Sequence, residues 1–274
     1  MQEKKLTFIG AGNITNAIIS GLISNGYLSK YITVCAPTDK NIKKLVQKYN
    51  IIGMHDNYKG CKSADVIIFA VKPHHVHDVC SLLNTHNFDF KEKIILSIVA
   101  GITINNYKNF FHVNKLKIIR GMTNICSAVC YGVSALFTEA SISIEEKKFL
   151  TSLMKTFGKV FWMHNESEIN KLLALTSSAP AYYFLLMELM QHEAEKLGFD
   201  IDIAKELILH TAYGSMLLAL KSKQSFASLR QSVTSPNGTT AKALDKFHEG
   251  NITQTIRNVI YAALMRAEEI EKQF

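Results

Sequence analysis

The tightest constraint lies near the start of the chain, where the apolar run Leu6-Thr7-Phe8-Ile9 breaks at Gly10-Ala11-Gly12. Helical spacing follows at once, with Ile14, Ala17, Ile18 and Leu22 falling on one face. A strand, a glycine turn and a helix in that order let the backbone bend tightly and bring a pyrophosphate against the helix N-terminus. Two glycines alone would say little, but their place between a strand and a helix makes the signal specific for a dinucleotide. Thr15 stands where such turns usually carry a third glycine. Its side chain has to be accommodated against the sheet, or its hydroxyl bonds back to the preceding turn, and the sequence leaves both open.

The same alternation continues downstream. Short apolar, β-branched runs at 6–9, 31–35, 65–71, 93–98 and 116–120 predict buried strands, and the stretches between them have helical spacing. That order predicts parallel pairing with right-handed crossovers. Residues 132–137 add a last strand, after which the pattern turns helical, with segments at 144–157, 167–175, 181–197, 203–221, 239–247 and 253–273. The expected fold is α/β: an N-terminal doubly wound, Rossmann-type parallel sheet over 1–163, then an all-α dimerisation domain over 164–274. The boundary is expected near 161–165. The helices at 181–190 and 204–220 carry more apolar surface than so short a domain covers alone, which predicts a homo-oligomer built through the helical half. The alternative is the core of a five- or six-helix bundle.

With 274 residues and 47% hydrophobic content, the chain is long enough for about two domains. No apolar run approaches the roughly 18 residues that span a bilayer, and Met1-Gln2-Glu3-Lys4-Lys5 leads straight into the first strand. Neither a signal peptide nor a membrane segment is therefore expected. The five cysteines are odd in number and form no CxxC pair, which predicts reduced thiols and a cytoplasmic protein. The formal charge of +8 comes from lysines scattered among acidic and apolar residues without a nucleic-acid reading motif. Nucleic acid is not expected as a partner, although the excess charge favours an anionic cofactor and substrate. His74, His75 and His77 have no acidic or cysteine partner at metal-ligand spacing and are read as loop residues.

Dinucleotide sites for NAD commonly end the second strand on a carboxylate, whereas this strand ends Val34-Cys35-Ala36-Pro37-Thr38. Asp39 follows beside Lys40, Lys43 and Lys44, so the Thr38 hydroxyl and nearby cations suit a 2′-phosphate. This favours NADPH over NADH, the alternative being that the lysines are the solvated face of a helix. Phe69-Ala70-Val71-Lys72-Pro73 places Lys72 at the carboxyl edge of the sheet, where doubly wound folds bind ligands. Far downstream, Val233-Thr234-Ser235-Pro236-Asn237-Gly238-Thr239-Thr240 sets four hydroxyls and a flexible turn before a helix. Free N–H groups and the helix dipole there would hold a carboxylate, and four hydroxyls exceed what capping needs.

Together with these motifs, Arg120-Gly121-Met122-Thr123-Asn124 and Ala179-Pro180-Ala181-Tyr182 complete a resemblance to the pyrroline-5-carboxylate reductases over essentially the whole chain. The resemblance implies reduction of 1-pyrroline-5-carboxylate to L-proline with NADPH or NADH, by enzymes that dimerise through their helical domains and often assemble into decamers. It implies cofactor contacts from Ile9, Gly10, Ala11, Gly12, Asn13 and Ile14, from Ala36, Pro37, Thr38 and Asn57, and from Ala70, Val71, Lys72, Pro73, Ala100 and Gly101. It implies substrate contacts from Glu166, Ser178, Val233, Thr234, Ser235, Asn237, Gly238, Thr239 and Thr240, with the Thr240 hydroxyl nearest the ring nitrogen as the catalytic group. Glu166 also fits an exposed carboxylate in the first turn of a helix. A cyclic imine arrives already protonated, so no dedicated acid is demanded, which agrees with the lack of a conspicuous dyad.

The chain departs from the family's usual Ser-Gly-Ser-Gly-Pro-Ala-Tyr at Thr176-Ser177-Ser178-Ala179-Pro180-Ala181-Tyr182, where added Cβ atoms crowd the backbone. Asn237-Gly238 replaces Gly-Gly, and Asn170 and Leu173 stand where Asp and Thr are common. These departures leave two other readings open: reduction of another small cyclic imine or keto acid, and a non-catalytic dinucleotide-binding homologue.

Overall fold

The computed structural model describes residues 4–113 and 115–274, so Met1-Gln2-Glu3 at the head of the chain lies outside the described residues. Within them, β1 (Leu6–Ile9) leads into α1 (Asn13–Ser24), β2 (Ile32–Cys35) into α2 (Asp39–Tyr49) and β3 (Ile52–Met54) into α3 (Asn57–Ser63). Next come β4 (Val66–Phe69), α4 (Val76–Thr85), β5 (Ile94–Ser97), α5 (Ile104–Phe111), β6 (Lys117–Met122), β7 (Gly132–Phe137), α6 (Ile144–Lys155) and β8 (Gly158–Trp162). These strands form one sheet in the order β3-β2-β1-β4-β5-β6-β7-β8. Pairing is parallel from β3 through β6. Every residue of β1, β2, β4 and β5 is buried, as expected of strands covered on both faces.

Within the sheet, expectation and structure part in two places. β7 runs antiparallel to β6, because only a short loop with one 3-10 turn at Ile125–Val129 joins them, and a parallel crossover needs a dozen residues or more. The strands β3 and β8 were not anticipated. β3 is three residues long and largely exposed at the sheet edge, and β8 follows the predicted helix without a turn signal other than Gly158.

Two compact units result, one of 1–180 with 262–274 and one of 181–261. The first includes α7 (Glu168–Leu172) and a π-helical turn at Leu173–Ser177. Ile169 packs there with Met122 and Ala135 of the sheet, so the first helical turns after residue 164 belong to the sheet's core. The second unit comprises most of α8 (Ala179–Lys196), then α9 (Ile201–Lys221), α10 (Phe226–Ser232), α11 (Thr239–Glu249) and the start of α12 (Ile252–Glu271). Between 181 and 261 only Ala204 and Ile208 are buried, while Phe184, Leu185, Leu189, Tyr213, Met216 and Leu220 lie exposed.

Because α7, the π turn and α8 join end to end, Glu168–Lys196 forms one helical stretch of 29 residues. By length and composition it could cross a membrane, which corrects the expectation that no segment reaches that length.

Gly158 opens β8 at φ 152°, and a Cβ built on it would fall inside the Gly132 backbone. Gly158→Ala is expected to cost about 2 kcal/mol through backbone strain at the β7–β8 junction, measured by urea denaturation. Unchanged stability would show that β8 does not require this approach.

Candidate active site

The turn after β1 is built by close backbone approach. Gly10 adopts φ 111°, and a Cβ there would sit 2.5 Å from the Ala70 carbonyl oxygen. Its N–H donates to the Cys35 carbonyl at 2.8 Å, and Ala70 N–H donates to the Ile9 carbonyl at 2.9 Å, so the ends of β1, β2 and β4 converge at this point. That convergence is the switch point of a doubly wound sheet, where ligands bind. Thr15 is buried, and its hydroxyl donates to the Gly10 carbonyl at 2.8 Å, which decides between the two roles open to it. The residue that replaces the third glycine therefore braces the turn.

Gly12 caps α1 with no side-chain bond, no acidic residue occupies the first turn, and nothing lies within 4 Å of the space a Cβ would take. The open space and the unpaired N–H groups of Asn13 and Ile14 fit an approaching pyrophosphate. At the end of β2, Thr38 caps α2 without donating or accepting a capping bond through its side chain. Asp39 is engaged by Lys43 at 2.7 Å and by His55 Nε2 at 2.8 Å, and these hydrogen bonds hold its carboxyl below the usual range. His55 Nδ1 also meets the Ala36 carbonyl at 3.1 Å. Lys43 is thus committed to Asp39, while Lys40 and Lys44 are exposed. The buried Oδ1 of Asn57 has no hydrogen-bond partner among the described residues, which leaves an acceptor for a ligand donor at this end of the site.

After β4, Lys72 caps the 3-10 turn Pro73–His75, in which the rings of His74 and His75 lie 4.1 Å apart. Ile98 N–H donates to the Phe69 carbonyl at 3.0 Å, carrying the β5 end beside that of β4. Ala100 and Gly101 follow in the β5–α5 loop, and Gly101 is at φ 75°.

Glu166 precedes α7 and is not the open carboxylate that a first helical turn would present. Its Oε1 accepts from the Ile104 N–H at 2.8 Å, at the start of α5, and from Arg120 Nη1 at 3.1 Å. Arg120 itself is only 1% exposed and also reaches Glu271 Oε1 at 2.5 Å and Asn170 Oδ1 at 3.0 Å. Asn170 Nδ2 in turn donates to Glu271 Oε2 at 2.8 Å, a bond that an ionised Asp at this position could not make. Sequence reasoning quoted Arg120 only as part of a motif and missed Glu271 altogether. A charged residue inside the buried run 116–120 was the available signal for the first. Ser178 ends the π turn, its N–H bonded to the Leu173 carbonyl at 3.0 Å, beside the buried and unpartnered Ser177 hydroxyl.

The second unit holds the hydroxyl-rich turn. Val233 follows α10 and is exposed, and the Thr234 hydroxyl is already spent on the Arg230 carbonyl at 2.7 Å. Asn237 takes φ 58°, the left-handed conformation that Asn tolerates best after glycine. Gly238 N–H donates to the Ser235 carbonyl at 3.1 Å, and a Cβ at Gly238 would collide with the Ser235 hydroxyl. Gly238 then caps α11 with no side-chain bond and no acid in the first turn, leaving Thr239 and Thr240 at a helix N-terminus open to an anion.

A doubly wound sheet with this turn, followed by a helical unit with a hydroxyl-rich, uncapped helix N-terminus, defines the class as an NAD(P)H-dependent oxidoreductase with a separate dimerisation domain. Residues 166–270 match the family model for pyrroline-5-carboxylate reductase dimerisation, and residues 5–101 match that for NADP oxidoreductase, coenzyme F420-dependent. A pyrroline-5-carboxylate reductase of Vibrio alginolyticus is 40% identical over the full length of both chains, and one of Pasteurella multocida is 33% identical over the same extent. The structure of a pyrroline-5-carboxylate reductase from Coxiella burnetii matches at TM-score 0.87 and 34% identity, covering 98% of this chain and 99% of that one. That of Plasmodium falciparum pyrroline carboxylate reductase with NADP bound matches in fold at TM-score 0.90 and 23% identity, over 99% of each chain. The chain belongs to the pyrroline-5-carboxylate reductase family.

Gly12→Val places its Cβ where nothing lies within 4 Å, so it is expected to leave the fold intact and weaken NADPH binding at least tenfold, read by calorimetry. Unaltered affinity would remove the pyrophosphate from this turn.

Proposed function

We propose that the chain reduces 1-pyrroline-5-carboxylate to L-proline, with NADPH preferred over NADH. The observation that carries this reading is the uncapped N-terminus of α11, a carboxylate cradle in a chain whose other unit carries a dinucleotide turn. The reduced nicotinamide supplies the hydride to the imine carbon. The α11 N–H groups and the hydroxyls of Ser235, Thr239 and Thr240 hold the substrate carboxylate, and the Thr240 hydroxyl bonds the ring nitrogen and orients its proton. Glu166 acts through its bond to the start of α5 and through Arg120, and Ser178 borders the substrate from the π turn. Preference for NADPH is supported by the free Thr38 side chain and by an Asp39 carboxylate already paired with Lys43 and hydrogen-bonded to His55.

The second unit supports a homodimer built through its helices, with assembly of dimers into a decamer as the higher-order form. With only Ala204 and Ile208 buried over 181–261, its apolar faces require a second copy to cover them. The same requirement is the reason to assign the long stretch Glu168–Lys196 to a subunit interface and not to a bilayer. Burial pushes the Cys35 thiol up to about 12 and raises Cys61 and Cys80 as well, so these thiols stay protonated, as suits a reducing cytoplasm.

The purified protein is expected to oxidise NADPH, followed optically, only when pyrroline-5-carboxylate is present, with a higher kcat/KM for NADPH than for NADH. Cofactor binding without turnover would overturn the reading in favour of a non-catalytic homologue. Thr240→Ala should lower kcat about tenfold with NADPH affinity unchanged, and Thr240→Ser should restore it. Full activity in the alanine variant would exclude the hydroxyl from the reaction. Light scattering is expected to show at least a dimer, and a monomer would refute the interface.

A further inference from the structure

The last turn of α12 returns to the sheet and meets the loop that follows β5. Ile270 lies against Gly101, where a Cβ would overlap its Cγ2, and the glycine holds φ 75° to admit it. The adjacent Glu271 accepts from Arg120 at 2.5 Å and from Asn170 at 2.8 Å. Arg120 stands opposite Ser97 in the β5–β6 register, at the strand end from which the loop departs. The other side of that loop is closed by Glu166, which bonds both Arg120 and the Ile104 N–H. The network therefore seizes the β5–α5 loop at its base, its tip and its exit. A buried ion pair is poor evidence for stability, and Arg120 even leaves its Nε without a partner. What the arrangement does supply is a single position for residues 100–101. In the strand order found here, β1, β2 and β3 carry the adenosine half of a dinucleotide site, and β4 and β5 carry the nicotinamide half.

We propose that Ile270 and Glu271 are positioning residues for the nicotinamide ring, acting through Gly101 and Arg120. This inference rests on the reading of the chain as an NAD(P)H-dependent reductase, and it makes the far end of the chain part of the cofactor site. Neither residue touches the reacting atoms. Both fix the wall against which the ring is held, and hydride transfer is sensitive to ångström displacements of that ring.

The test uses the full chain with Glu271→Ala, Ile270→Ala and the conservative Glu271→Gln. NADPH is titrated while the emission of its reduced nicotinamide is recorded, and melting temperature and kinetics are measured in parallel. The unaltered protein is expected to enhance nicotinamide emission on binding. Both alanine variants should bind NADPH within about threefold of the original affinity, through the intact adenosine half, yet lose at least half of that enhancement. With pyrroline-5-carboxylate, kcat should fall about tenfold, and the deuterium isotope effect with 4-deuterated NADPH should rise as hydride transfer becomes limiting. Glu271→Gln, which keeps an acceptor for Arg120, should recover at least half of the loss.

Emission and kcat within twofold of the original in both alanine variants, whatever the change in melting temperature, would overturn the proposal. So would a tenfold loss of NADPH affinity accompanying the loss of emission, because that is general damage to the site. Should one alanine variant fail to fold, the other and Glu271→Gln decide the question. Absence of turnover in the unaltered protein would refute the reductase reading, while the emission measurement would still decide the positioning role.

Discussion

A guanidinium taken out of water must be met by acceptors, and at Arg120 those acceptors come from segments far apart in the chain. Glu166 and Asn170 arrive from around α7, and Glu271 arrives from the end of α12. Satisfying this one cation brings the last turn of the chain onto the loop after β5, anchors the start of α5 through Glu166, and sets α7 against β6 and β7. Arg120 carries one positive charge against the two carboxylates of Glu166 and Glu271, so its loss would leave two acids close together with no cation between them. The departure at Asn170 makes sense in these terms. Its amide accepts from Arg120 on one side and donates to Glu271 on the other, a bridging role that suits an amide and not an ionised acid.

The two units are stabilised by different means. In the first, fully buried parallel strands are covered by helices on both faces, and the glycine turn gains its shape from contact with that rigid frame at Ala70 and Thr15. Rigidity there suits a site that must hold a long, flexible cofactor in one conformation. The second unit has almost no interior of its own, so its helices depend on surfaces from outside the chain. Its hydroxyl-rich turn is local, made by one loop and one helix N-terminus, and keeps its shape in a unit without a core.

Much of the fold was legible because its signals are local. Buried strands announce themselves as β-branched runs, and Gly10-Ala11-Gly12 between a strand and a helix points to a dinucleotide without any knowledge of distant contacts. β3 and β8 escaped notice because an edge strand of three to five residues with one wet face carries too little apolar pattern. The antiparallel turn of β7 was hidden because strand periodicity is the same in both directions, and only the shortness of the β6–β7 connection distinguishes them. The hydroxyl-rich turn was readable from Ser235 to Thr240, yet the spending of the Thr234 hydroxyl on Arg230 was not, since it depends on where α10 ends.

By itself the sequence determined the alternation of strand and helix, the dinucleotide turn, the hydroxyl-rich cradle and the change to a helical half with excess apolar surface. All of these are encoded within a few residues or a few helical turns. Tertiary structure alone decided that Thr15 braces the turn, that Asp39 is tied to Lys43 and His55, and that Glu166 is committed to Arg120 and α5. It alone placed Ile270 and Glu271 beside the loop of Gly101. The partners in these contacts are chosen by three-dimensional proximity and the demand of buried polar groups for bonds, and spacing along the chain carries no trace of either. Arg120 and Glu271, 151 positions apart, are the clearest instance.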